Sequence, residues 1–157
     1  MKRITVAFVL ALVLVLGLVG VASAITNGQP DGDDHPYVGL MVAQYVEYDT
    51  SGEPTSVKPL WRCSGTLISE TLFLTAGHCT EAPANYAEIW FDDGPIDRGS
   101  LPDLSDECLG ETGYPCSGDV GGEVFTHQSY NPAAFFLYDL GVVELDEPWT
   151  LAGGYGA

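Results

Sequence analysis

The chain has 157 residues, 46% of them hydrophobic, and a formal net charge of −17. That length holds one domain, or part of a larger one, and the apolar share is enough to build a core. Five basic residues against twenty-two acidic ones argue against nucleic acid and anionic membrane as partners, because both repel a chain of this sign.

The predicted elements follow in chain order. Met1-Lys2-Arg3 is a basic start, residues 4–21 are almost wholly apolar, and Ala22-Ser23-Ala24 is an A-x-A cleavage site. This is the pattern of an export signal over 1–24. The protein is therefore expected to be secreted or periplasmic, with a membrane contact only if the signal stays uncleaved. The mature domain is then 25–157, with Ile25 as its free N-terminus. Beyond the signal there is no internal repeat and no useful run of helical period. Short β-rich runs alternate with turn clusters instead. Strands are predicted at 37–48, 60–68, 71–75, 86–91, Val124-Phe125 and 139–145. A loop over 49–57, containing Ser51-Gly52-Glu53-Pro54, extends the first hairpin. A longer loop over 92–122 is rich in Gly, Pro, Asp and Ser. The tail 151–157 has linker composition. About six strands fit an all-β, Greek-key barrel.

Four cysteines follow the signal: Cys63, Cys79, Cys108 and Cys116. An even count in an exported chain implies disulfides, and four cysteines allow three pairings. Neither gap has the short spacing of a zinc knuckle. The strongest local pattern is Trp61-Arg62-Cys63-Ser64-Gly65-Thr66-Leu67-Ile68-Ser69, followed by Leu74-Thr75-Ala76-Gly77-His78-Cys79. Ala76 and Gly77 permit a tight turn after a strand, and an imidazole titrates near neutrality, which suits a general base. Further on, Tyr138-Asp139-Leu140-Gly141-Val142-Val143-Glu144-Leu145 opens with an aspartate ahead of alternating apolar residues. Its carboxylate is expected to enter a buried environment.

Both segments resemble the chymotrypsin/trypsin family of serine proteases. The resemblance covers nearly all of the mature chain and implies the N-terminal six-stranded barrel of a two-barrel enzyme. It implies His78 as the catalytic base and Asp139 as the carboxylate that fixes its tautomer. It implies Cys63 paired with Cys79, which leaves Cys108 with Cys116. Gly141 stands where the family usually has alanine. Thr126-His127-Gln128-Ser129-Tyr130-Asn131-Pro132 is similar to the family's stretch ahead of the aspartate, in which the histidine is structural. Ile25-Thr26-Asn27-Gly28 resembles the family's mature start, although Thr26 and Asn27 depart from it.

The resemblance also shows what the sequence lacks. The family's serine lies after the aspartate, and the eighteen residues after Asp139 contain neither serine nor cysteine. The segment 116–122 imitates the serine motif but puts Val120 in the serine's place, and it precedes Asp139. It reads as a glycine-rich turn. The expected protein is thus a secreted serine endopeptidase acting on proteins or peptides, present as a fragment inactive without its C-terminal barrel. The alternative is a pseudoprotease that keeps the barrel as a protein-binding module. No cofactor motif is present, and the loop acids Asp103, Asp106, Glu107, Glu111 and Asp119 lack a calcium-loop ladder.

Overall fold

Alternating side chains make a closed antiparallel barrel. The computed structural model describes residues 32, 34–91, 107–151 and 154–156. The expected signal over 1–24 and Ile25 lie outside the described residues, as do Asp103 and Asp106. The strands are β1 (Val38–Tyr48), β2 (Pro54–Leu67), β3 (Leu72–Thr75), β4 (Tyr86–Trp90), β5 (Val120–Thr126) and β6 (Gly141–Leu145). Their order round the barrel is β1-β2-β3-β6-β5-β4, with β4 returning to β1. Two three-stranded meanders are therefore joined along two seams, β3 against β6 and β4 against β1. Every other residue faces inward. Met41, Ala43, Leu67, Phe73, Ala87, Ile89, Val143 and Leu145 meet there as the core. The all-β class and the six strands expected from the turn spacing are both present.

Three boundaries differ from the sequence reading. The first hairpin is zipped to its end, so 49–57 is not an extended loop: β2 begins at Pro54, opposite Tyr48. The Asp49 carboxylate accepts the N–H groups of Ser51 at 2.7 Å and Glu53 at 3.0 Å, and Gly52 takes φ 86°. That side chain closes a tight turn where a longer connection was expected.

Residues 120–122 form the first part of strand β5, not a glycine-rich turn, and Val120 is buried. The glycines lie in the strand because the barrel leaves no room for a side chain. A Cβ on Gly121 would lie 2.0 Å from the Tyr86 hydroxyl, and one on Gly122 would lie 2.4 Å from the Glu144 carbonyl oxygen. Low strand propensity is overridden by close approach.

The tail is not a free linker over its described part. Leu151 and Tyr155 pack against the core, and the Gly156 N–H donates to the Leu67 carbonyl at 2.9 Å.

Beyond the barrel, the loop carrying Cys108 and Cys116 is stitched to its surface. Buried Gln44 donates from Nε2 to the Cys116 carbonyl at 2.9 Å. Glu107 accepts the Val57 N–H at 2.6 Å and the Ser56 hydroxyl at 2.8 Å. Asp119 accepts the Phe91 N–H at 2.7 Å. Two of the loop acids therefore serve the backbone, and these hydrogen bonds hold the Glu107 carboxyl below the usual range.

Candidate active site

The site lies where β3 ends and β6 begins. After Thr75 the chain enters a short 3-10 turn, Gly77–Cys79. The Cys79 N–H donates to the Ala76 carbonyl at 3.1 Å, and the Thr80 N–H to the Gly77 carbonyl at 3.0 Å. Cys79 is buried and bonded to Cys63, with their Cα atoms 6.1 Å apart. The Trp61 indole N–H donates to the Cys79 carbonyl at 3.0 Å. A disulfide and an indole thus hold the residue next to His78 against β2, while the imidazole points away from the core, its side chain 53% exposed. The sulfurs of Cys63 and Cys79 lie near the His78 ring, but both are consumed in the disulfide. The second bridge joins Cys108 and Cys116, with Cα atoms 5.0 Å apart.

Asp139 faces this turn. Its Oδ1 accepts the His78 backbone N–H at 2.8 Å. Its two oxygens lie 2.9 and 3.1 Å from His78 Nδ1. A carboxylate facing Nδ1 selects the tautomer with the proton there, which leaves Nε2 as the nitrogen for proton exchange. The His78 N–H is the largest cause that holds the Asp139 carboxyl below its ordinary range. The ring's hydrogen bond and charge add to this against the opposing effect of partial burial.

Burial itself is less than the sequence suggested. Asp139 lies two residues ahead of β6, and its side chain is 26% exposed. It does not enter the core, because the chain turns sharply just before it. Tyr138 has φ 57°, the left-handed region, where a tyrosine pays about 1–2 kcal/mol. Its ring lies flat on the His127 ring, with centroids 5.3 Å apart and planes 5° apart. A stack of this kind is worth about 0.5–1.5 kcal/mol, the same order as the strain.

Gly141 is explained by contact. A Cβ there would lie 2.7 Å from the Ala76 carbonyl oxygen and 2.4 Å from the Thr80 hydroxyl. That hydroxyl is buried and tied to the Gly77 carbonyl at 3.1 Å and the Thr126 hydroxyl at 2.9 Å. The glycine lets β6 lie directly on the histidine turn.

Two features escaped the sequence reading. One is the pairing of Tyr138 with His127; a tyrosine before an aspartate gives no sign of a left-handed backbone. The other lies at the far end of β6, where a cleft of 450 Å³ is lined by Tyr86, Glu88 and Asp146 among others. The Tyr86 hydroxyl donates to Asp146 there. Burial holds the Glu88 carboxyl above its usual range. Alternation in β4 placed Tyr86 and Glu88 on one face, but only closure of the barrel brings Asp146 to them.

Among solved structures the chain is similar to HL collagenase, at 19% identity over 81% of this chain and 44% of that one, with a TM-score of 0.47. It is similar to GrC, at 15% identity over 77% and 41%, with a TM-score of 0.42. The Drosophila Grass clip serine protease of the Toll pathway matches at 16% identity over 83% and 34%, with a TM-score of 0.43. The chain spans less than half the length of each. No curated protein sequence matches it. The family model described as Trypsin matches residues 43–155. That span takes in all of β2, β3, β4, β5 and β6 and both halves of the His78–Asp139 pair, and the chain belongs to the trypsin family.

Proposed function

We propose that His78 and Asp139 are the base and the orienting carboxylate of a secreted serine endopeptidase that cleaves proteins or peptides. The observation that carries this reading is the double contact of Asp139 with the His78 N–H and with Nδ1. One contact fixes the residue and the other fixes the tautomer. In the reaction, His78 Nε2 takes the proton of a serine hydroxyl as its oxygen bonds to the scissile carbonyl carbon. The resulting imidazolium is stabilised by Asp139 and returns the proton to the leaving amine as the C–N bond breaks. Water then repeats the sequence on the acyl-enzyme. The serine, the oxyanion donors and the specificity pocket belong to a second barrel in this family. The eighteen residues after Asp139 hold no serine or cysteine, and Val120 is a buried strand residue.

Export is supported by the two disulfides, which persist in oxidising compartments. Among the described residues no helix is long and apolar enough to cross a membrane.

Residues 25–157 alone are expected to cleave no peptide in a broad library and to resist a serine-directed covalent probe. Joined to a C-terminal segment that carries the nucleophile, the protein is expected to hydrolyse peptides. Asp139→Asn should then lower kcat on the order of 10⁴-fold, the loss typical of this family when the tautomer is wrong. Labelling of 25–157 by the probe, or an Asp139→Asn enzyme of full activity, would sink the reading.

A further inference from the structure

We propose that the His127–Tyr138 stack is a positioning device for Asp139. It holds residue 138 in the left-handed turn that lays the Asp139 carboxylate on the His78 turn. The proposal rests on the reading of His78 and Asp139 as a proton-transfer pair, and it gives a role to a histidine that the sequence marked only as structural.

His127 grips both neighbours of Asp139. Its ring lies flat on the Tyr138 ring at 5.3 Å. Its backbone N–H donates to the Leu140 carbonyl at 2.9 Å. The turn between these two grips is closed by the Leu140 N–H, which donates to the Tyr138 carbonyl at 2.7 Å. The His127 ring is itself held in place, because its Nδ1 accepts the Ser129 N–H at 3.2 Å, and the backbone beneath it is fixed by a turn in which the His127 carbonyl accepts the Tyr130 N–H at 2.8 Å.

A tyrosine has no intrinsic reason to keep φ at 57°. Strained backbone of this kind persists only where surrounding contacts over-determine it. Released to an ordinary extended conformation, residue 138 would swing the following Cα–Cβ bond and take the carboxylate from both His78 donors. Tyr138 is 61% exposed and His127 is exposed too. The stack therefore adds nothing to the core, and its removal leaves the barrel folded. Its effect falls on the one turn that precedes the carboxylate.

The test is amide hydrogen exchange and carboxyl titration by NMR on the full chain, so no peptidase activity is needed. The His78 amide reports the site directly, since its acceptor is Asp139. In His127→Ala its protection is expected to fall about two- to tenfold, the factor that loss of one aromatic stack permits. The Asp139 carboxyl should titrate higher, toward the ordinary range. Core amides such as those of Ile89 and Val143 should not change. His127→Phe, which keeps a flat ring, should restore both readouts. Glycine accepts the left-handed conformation without a stack. In a Tyr138→Gly background, His127→Ala should therefore have no effect. Unchanged His78 protection in His127→Ala would overturn the proposal. So would a His127→Phe variant as damaged as His127→Ala, or a full His127→Ala effect in the glycine background. A His78 amide no better protected in the parent chain than in Asp139→Ala would remove the pair itself, and the positioning role with it.

Discussion

At the scale of single residues, the site is a set of hydrogen bonds whose strength depends on one carboxylate being charged. The Asp139 carboxyl is held below its ordinary value chiefly by the His78 N–H. A carboxyl lowered by folding contributes stability that is fully present above its unfolded value, near 3.9, and is lost as pH falls through the folded value. In that window the unfolded chain binds more protons, so stability rises with pH. Glu107 and Asp49 share the direction, so the Asp139 contribution is isolated by difference. The stability gap between the parent chain and Asp139→Asn should be constant above about pH 5 and narrow below about pH 4, as followed by urea unfolding. A gap that widens on acidification would contradict the lowered carboxyl. Gly141 gives a second residue-scale prediction. Gly141→Ala would set a methyl against the Ala76 carbonyl, part of the backbone that shapes the histidine turn. A loss of about 1–3 kcal/mol is expected in the same unfolding assay, the usual range for overpacking. A neutral substitution would mean that β6 can retreat from the turn.

At the scale of elements, the position of His78 is set by three neighbours: the end of β3, the Cys63 bridge to β2 and the start of β6. The bridge closes a loop with a sequence separation of 16. Its removal should cost about 3 kcal/mol through the entropy it takes from the unfolded chain. Cys63→Ala with Cys79→Ala should show that loss, and non-reducing peptide mapping of the parent should recover Cys63 with Cys79. Recovery of Cys63 with Cys108 or Cys116 would contradict the arrangement. The strands themselves were legible in part. Short β-rich runs between turn clusters marked them, and alternation marked the run over 139–145, but that Met41, Ala43 and Ile89 face the core beside Val143 was settled only by closure of the barrel. The early start of β5 was hidden, because Gly121 and Gly122 look like a turn until Tyr86 and Glu144 are seen to approach them. The early start of β2 was hidden because one aspartate, Asp49, caps the hairpin turn.

At the scale of the whole molecule, the charge and the surface pull in opposite directions. The net charge of −17 favours solubility. Yet Phe125, Phe135, Phe136, Leu137, Tyr138 and Leu140 are all exposed, with Phe136 73% exposed. Apolar patches of this kind drive association. Residues 25–157 should therefore self-associate as concentration rises, and more strongly in high salt, where the repulsion is screened. Phe135→Ser with Phe136→Ser should move the chain toward monomer in sedimentation velocity. A monomer at all concentrations in the parent would show that the charge suffices. What the sequence by itself determined is whatever is written locally: the period of two that makes strands, the cysteines around β2 and the histidine turn, and the order of His78 before Asp139. What only the tertiary structure decided is whatever depends on contacts between distant residues. These are the closure of β4 on β1, the glycines required where β5 and β6 meet their neighbours, and the His127 ring lying on Tyr138. Each arises where segments far apart in the chain come within van der Waals contact, and no local pattern encodes which atoms will meet there.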